Sequence, residues 1–129
     1  MHAKDIMTRD VITVGPTITI KNLAMILIKN QISGAPVAGK NGKIIGVVSE
    51  ADIVAKKGKD VRTIMSTNII SVTEETPVEE IAKLMTTHRI KRLPVMRGED
   101  VVGIVSRADI VSAIALGKHV AIHTPVYDL

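Results

Sequence analysis

The sequence predicts a mixed α/β (α+β) fold: two pseudo-symmetric β-α-β-β-α repeats packed sheet to sheet as one unit. Three observations carry this. Long segments recur at an offset of 58 residues, falling to 57 after the middle of each copy. Within each copy, short runs of branched aliphatics alternate with stretches of helical periodicity. Hydrophobic residues make up 46% of the 129 residues, yet there is one Tyr and no Phe or Trp, so the core must be built from Ile, Val, Leu, Met and Ala.

The repeat is read directly from the residues. Asp5-Ile6-Met7-Thr8 recurs as Thr63-Ile64-Met65-Ser66, and Val11-Ile12-Thr13-Val14 as Ile69-Ile70-Ser71-Val72. Gly34-Ala35-Pro36-Val37 answers Arg92-Leu93-Pro94-Val95. The segment Gly46-Val47-Val48-Ser49-Glu50-Ala51-Asp52-Ile53-Val54 answers Gly103-Ile104-Val105-Ser106-Arg107-Ala108-Asp109-Ile110-Val111. Two copies are too few for a solenoid, and one copy of about 55 residues buries too little to stand alone. The expected division is residues 1–60 and 61–129.

Each copy opens with a β-branched run, 11–14 or 69–72, read as a strand. A helix follows, with Ile20, Leu23, Ala24, Leu27 and Ile28 on one face in the first copy and Val78, Ile81, Ala82 and Met85 in the second. The first helix is capped by Thr17 or Thr19. The second is expected to start with Thr76 as N-cap, Pro77 at the first helical position and Glu79 three residues after the cap. Two strands then flank an Asn-Gly or Arg-Gly turn, at 35–38 with 44–48 and at 93–96 with 101–105. The single-residue length difference falls in that turn, where a hairpin tolerates it. A last helix begins near Ser49 or Ser106 and is expected to close at Gly58 or Gly117.

Composition excludes several function classes. With no Cys, disulfides, thiolate nucleophiles, Cys-ligated zinc and iron–sulfur clusters are ruled out. With one aromatic residue, nucleic-acid binding by base stacking is disfavoured. The formal net charge of +4 comes without any run of five like charges, so there is no basic arm. No segment approaches the roughly 18–20 apolar residues of a membrane span, and the first residues lack the apolar centre of a signal peptide. A cytoplasmic protein with no membrane insertion is expected.

The repeated Ser-x-x-Asp at a strand-to-helix junction, Ser49 with Asp52 and Ser106 with Asp109, is the most informative motif. It reads in two ways. One is a capping box, with a hydroxyl at the N-cap and a carboxylate in the first turn. The other is a ligand site, with the helix N-terminus and Ser facing a phosphate and Asp accepting from ribose hydroxyls. A carboxylate in that role calls for nearby cations, and Lys91, Arg92 and Arg107 are the candidates. His119 and His123 stand at i, i+4 spacing without a third ligand, and His88 suits a helix C-terminus. The chain carries no P-loop, Gly-x-Gly-x-x-Gly, His-Glu-x-x-His or catalytic triad order. No catalytic residue, metal site or resident cofactor is expected.

The doubled Pro-Val and Gly-h-Val-Ser-x-Ala-Asp-Ile-Val motifs closely resemble the CBS domain, and two copies in register resemble the tandem CBS pair over residues 4–116. That resemblance implies two equivalent clefts that bind adenosine-containing ligands such as AMP, ADP, ATP or S-adenosylmethionine. It also implies a regulatory sensor of energy or metabolite state, often a disk-like dimer, acting on a regulated enzyme or transporter. By the same resemblance Asp52 and Asp109 hold ribose, and Ser49 and Ser106 approach ribose or phosphate. Adenine slots against Met7, Ile12, Ile32 and Ser33 in the cleft of Asp109, and against Met65, Ile70, Ile90 and Lys91 in the cleft of Asp52. Lys91 and Arg92 match phosphate-contacting positions; the first copy has Ser33 and Gly34 there. With a single Tyr and no Phe or Trp, branched aliphatics and Met would supply the apolar walls.

The resulting expectation is a non-catalytic module that binds an adenosine ligand and forms a homodimer. The alternative is a ligand-free interaction or dimerisation module docking on a partner protein. Binding of an adenosine ligand separates the two.

Overall fold

Each hairpin pairs a short strand centred on Pro-Val with a β-branched run, across a turn that accepts left-handed backbone. The computed structural model describes residues 1–116. In it β1 (Gly34–Ala38) pairs antiparallel with β2 (Ile44–Ser49), setting Gly34 opposite Ser49 and Val37 opposite Gly46. The turn between them contains Asn41 and Gly42, both with positive φ (64° and 74°), the combination that suits a tight hairpin. The second copy repeats the arrangement with β4 (Arg92–Arg97) and β5 (Asp100–Ser106), Arg92 opposite Ser106 and Val95 opposite Gly103. Between the hairpins in the chain lies the short β3 (Val72–Thr73), parallel to β4. One sheet therefore runs β1-β2 and the other β3-β4-β5.

The strands expected at 11–14 and 69–72 are much shorter than the β-branched runs suggest. The first is reduced to one parallel bridge, Val14 to Val37, and the second begins only at Val72, opposite Val95. Proline explains the truncation. Val14 donates to the Pro36 carbonyl (3.1 Å) and accepts from Ala38 N (2.9 Å). The next rung upstream would need an N–H from Pro36, which has none. Pro94 stands in the same place beside the bridge of Val72. Segments 10–12 and 68–70 are thereby released from the sheets.

The longer helices are α2 (Ile20–Asn30), α3 (Glu50–Ala55), α5 (Val78–His88) and α6 (Arg107–Ala115). Thr19, not Thr17, caps α2, its Oγ1 accepting from Asn22 N at 3.2 Å. Thr76 does not cap α5: Pro77 occupies that place with extended backbone (ψ 143°), while Thr76 Oγ1 accepts from Thr73 N in the preceding turn. α3 stops at Ala55, ahead of Gly58, because Lys56 adopts extended backbone and its Nζ reaches the Ile64 carbonyl at 3.0 Å. Gly58 serves close packing instead, since a Cβ there would lie 2.9 Å from Ile64 Cγ2. His88 closes α5 as expected, whereas Gly117, His119 and His123 lie outside the described residues.

Two single-turn helices, α1 (Ala3–Ile6) and α4 (Val61–Ile64), are not foreshadowed by periodicity, and they determine how the halves join. Each packs into the other copy. Ala3 and Met7 are buried with Val78, Ile81, Leu93, Val95, Val105 and Ile110 of the second repeat. Val61 and Ile64 are buried with Leu23, Leu27, Val37 and Val48 of the first. The backbone follows suit: Ala3 N donates to Thr76 O (2.8 Å), and Val61 N to Ile18 O (2.9 Å). Thr8 exchanges both hydrogen bonds with Ile104 at 2.8 and 3.0 Å, and Ser66 does so with Val47 at 2.9 Å each. Gly103 and Gly46 admit the crossing segments: a Cβ on them would approach Met7 Cγ and Met65 Sδ to 2.8 Å.

Among the described residues no charged or polar residue is buried, and no helix is long and apolar enough to cross a membrane. The reciprocal crossing yields a test. Gly46→Ala places a methyl 2.8 Å from both Met65 Sδ and the Ser66 carbonyl. It is expected to destabilise the fold by about 1–3 kcal/mol, as overpacking does. Urea denaturation measures this; an unchanged midpoint would show that the crossing is not tightly packed.

Candidate ligand-binding clefts

The proline-shortened strands, the hairpins and the helix starts converge on two clefts between the copies. The cleft at Asp52 has a volume of about 280 Å³ and takes Ser49 and Asp52 from the first repeat, with Ile90, Lys91, Arg92 and Pro94 from the second. The cleft at Asp109 has a volume of about 350 Å³ and takes Ser106, Asp109 and Ile104 from the second repeat, with Ile12, Ile32 and Ser33 from the first. Both clefts lie at the strand-to-helix junctions β2–α3 and β5–α6, where the chain leaves a sheet edge and exposes the first turn of a helix.

The Ser-x-x-Asp motif is a capping box in both places. Ser49 N donates to Asp52 Oδ2 (2.9 Å), and Asp52 N returns a long hydrogen bond to Ser49 Oγ (3.4 Å). Ser106 N donates to Asp109 Oδ2 (2.8 Å), and Asp109 N donates to Ser106 Oγ (3.1 Å). Capping and cleft lining are therefore compatible, because one carboxylate oxygen suffices for the cap. The remaining oxygens differ. Asp52 Oδ1 is held by Lys56 Nζ at 3.0 Å, whereas Asp109 Oδ1 has no hydrogen-bond partner among the described residues. Asp109 thus presents an acceptor to its cleft that Asp52 shares with a lysine.

The first-turn N–H groups are partly committed as well. Glu50 N donates to Ser33 O (2.9 Å) and Arg107 N to Lys91 O (2.7 Å), tying each helix start to the segment before its own repeat's β1 or β4. This brings residues 33 and 91 to the cleft rims. Arg92 is half-buried between the copies, and its Nη2 donates to Ser33 Oγ. Burial pulls the Arg92 pKa below the usual guanidinium value, with Glu50 and Asp52 opposing that shift. A guanidinium keeps its charge in protein surroundings, so Arg92 is a fixed cation at the centre of the site.

Of the sequence candidates, Ile12, Ile32, Ser33, Ser106 and Asp109 come together in one cleft, and Ser49, Asp52, Ile90, Lys91 and Arg92 in the other. Met7 and Met65 do not line either one; they fill the crossing points beside Gly103 and Gly46. Ile70 is half-buried outside the Asp52 cleft, where Asn68 takes the lining position. Arg107 lies in a separate groove between α5 and α6, with Val111 and Ile114. Ile104 and Pro36 line both clefts but are not singled out by the sequence. The period-2 alternation of β5, with Gly103 and Val105 buried, would have pointed to Ile104, which shares a face with Ser106.

Comparison with known proteins follows this geometry. The model of the CBS domain family matches residues 3–58 and 61–116. L-aspartate semialdehyde sulfurtransferase from Methanocaldococcus jannaschii is 36% identical over 111 residues, covering 83% of this chain but only 22% of that enzyme. A solved CBS domain pair, protein MJ0100 in complex with 5'-methylthioadenosine and S-adenosyl-L-methionine, superposes with a TM-score of 0.87 at 34% identity, covering 92% of this chain and 98% of that one. The structure of CBSX2 in complex with AMP gives a TM-score of 0.83 at 26% identity, covering 92% and 98% of the two chains.

The capping geometry makes its own prediction in the absence of any ligand. Ser106→Ala should cost about 1 kcal/mol of stability, and Ser106→Gly only a few tenths. Equal losses in chemical denaturation would mean that Ser106 does not cap α6 through its hydroxyl.

Proposed function

The chain belongs to the CBS-domain family as a tandem pair, and from that premise we propose that it is a regulatory module that binds adenosine-containing ligands in its clefts and catalyses nothing. The observation that carries this reading is the Asp109 cleft. There a carboxylate is held by its own helix cap with one oxygen unbonded among the described residues, opposite Ile12 and Ile32 of the other repeat. A ribose diol offers two O–H donors to such an oxygen, and charge assistance strengthens the contact. Ile12 and Ile32 offer branched aliphatic surface to a flat purine, which needs no ring partner to gain from burial. Arg92, with Lys91 in the Asp52 cleft, supplies positive charge for phosphate. That related pairs were solved with AMP, 5'-methylthioadenosine and S-adenosyl-L-methionine supports the adenosine half as the shared determinant.

A sensor of this kind acts by presenting a ligand-dependent surface to a partner, here an enzyme or transporter, or to a second copy. Val54 (87% exposed), Val111 (60%) and Leu116 (72%) leave apolar surface on α3 and at the end of α6. These residues, together with exposed Met25 and Ile28 on α2, support association through helix faces, and we include homodimerisation in the proposal.

Three measurements test this reading. AMP, ADP, ATP and S-adenosylmethionine are screened by thermal shift. A ligand that binds only the folded chain adds about 2.7 kcal/mol at a hundredfold excess over its Kd. No shift with any of them at millimolar concentration would leave the ligand-free docking module as the better reading. With a binding ligand in hand, Asp109→Asn is expected to weaken affinity roughly tenfold to a hundredfold, the value of a charge-assisted contact. Unchanged affinity would reduce Asp109 to a capping residue. For association, sedimentation at tens of micromolar is expected to show twice the 13.9 kDa chain mass; a monomer there would refute the dimer.

A further inference from the structure

We propose that Arg92 is a single cation shared by the two clefts, so that anionic adenosine ligands fill them with negative coupling while uncharged adenosine does not. The inference rests on the adenosine-ligand reading above and adds to it a regulation between the sites. Arg92 lines both clefts. Its place in the first repeat is taken by Gly34, and that glycine is the slot over which the guanidinium lies: a Cβ there would come within 2.6 Å of Arg92 Nη1 and 2.9 Å of the Val48 carbonyl. The pseudo-symmetry that doubles the clefts therefore does not double this cation.

The surroundings are unequal in a way that makes sharing matter. Around the Asp52 cleft, Arg89 and Lys91 stand with Arg92 against Glu50 and Asp52. Around the Asp109 cleft, Arg92 is the one cation among the described lining residues, against Asp10 and Asp109. A phosphate in the Asp52 cleft draws on the guanidinium, whose hydrogen bond to Ser33 Oγ is the tie that holds it toward the first repeat. A second phosphate in the Asp109 cleft then meets a compensated cation and two acids. At these short distances, in partly buried surroundings, such charges are only weakly screened by salt. Uncharged adenosine makes no such demand, so its two binding events should be independent.

Single-cleft variants make the coupling measurable. Ala51 and Ala108 are exposed, occupy equivalent positions in the first turns of α3 and α6, and each line one cleft. Ala51→Trp is designed to fill the Asp52 cleft and Ala108→Trp the Asp109 cleft. Calorimetry with AMP and with adenosine gives one association constant for each variant and two stepwise constants for the wild-type chain. For AMP, the product of the wild-type constants should fall roughly tenfold below the product of the single-cleft constants, within the range of measured allosteric couplings. For adenosine the two products should agree, and Arg92→Gln should remove the AMP deficit.

Agreement of the AMP products in the wild-type chain would overturn the coupling, as would a deficit that survives Arg92→Gln, which would be plain repulsion between phosphates. Those results leave adenosine binding intact. Absence of binding by AMP and adenosine alike would overturn the ligand reading and the coupling with it. Should a tryptophan variant fail to fold, the Ala51 and Ala108 amide resonances of the wild-type chain report each cleft separately. Fitted jointly, the two site-resolved titrations give each cleft's intrinsic constant and the coupling between them; the same roughly tenfold deficit is expected for AMP, none for adenosine, and none for AMP in Arg92→Gln.

Discussion

The reciprocal crossing of α1 and α4 is the constraint on which the rest of the structure depends. Each repeat lacks a piece of its own core and receives it from the other: Ala3 and Met7 complete the second, Val61 and Ile64 the first. A repeat of this size has little apolar surface to bury, and with no Phe, Tyr or Trp among the described residues each missing aliphatic leaves a cavity that nothing larger can fill. Exchange solves this by making the two cores complete each other. It also sets the distance between the sheets, because Thr8 is bonded to Ile104 and Ser66 to Val47 across the junction. The clefts lie beside these two bridges and inherit their rigidity.

Within that frame, two local devices shape the clefts. Pro36 and Pro94 withhold the N–H that would extend the parallel ladders, so segments 10–12 and 68–70 turn away from the sheets, and residues 10–12 and Asn68 become cleft walls. The capping boxes then aim Asp52 and Asp109 along the first turns of α3 and α6. A cap rigidifies its carboxylate, because the orientation that accepts from the Ser backbone leaves the other oxygen facing outward. Stability and site geometry thus use the same side chain.

Symmetry makes the clefts; its departures make them different. Lys56 occupies the outward oxygen of Asp52, while the equivalent oxygen of Asp109 has no partner among the described residues. Arg92 and Lys91 replace Gly34 and Ser33, which concentrates positive charge on one side.

Much of this was legible from the residues. The doubled motifs established the repeat count, the order of the major helices and hairpins, and the placing of Ser49, Asp52, Ser106 and Asp109 at helix starts, because capping and turn chemistry act over three or four residues. The clefts' pairing of Ile12 and Ile32 with Asp109, and of Ile90 and Lys91 with Asp52, was reached through the family resemblance rather than through spacing. Met7 and Met65 show what local pattern leaves undecided: an apolar residue after a short helix suits a ligand wall or a core equally. Only the close approach to Gly103 and Gly46 places them in the core. The partner of Asp52 Oδ1, the lie of Arg92 over Gly34 and the exchange of α1 and α4 likewise depend on residues that meet only in space. Hydrogen-bond chemistry along the chain therefore determined the elements and their caps, whereas packing between copies decided which side chains share a cleft and which charges they share.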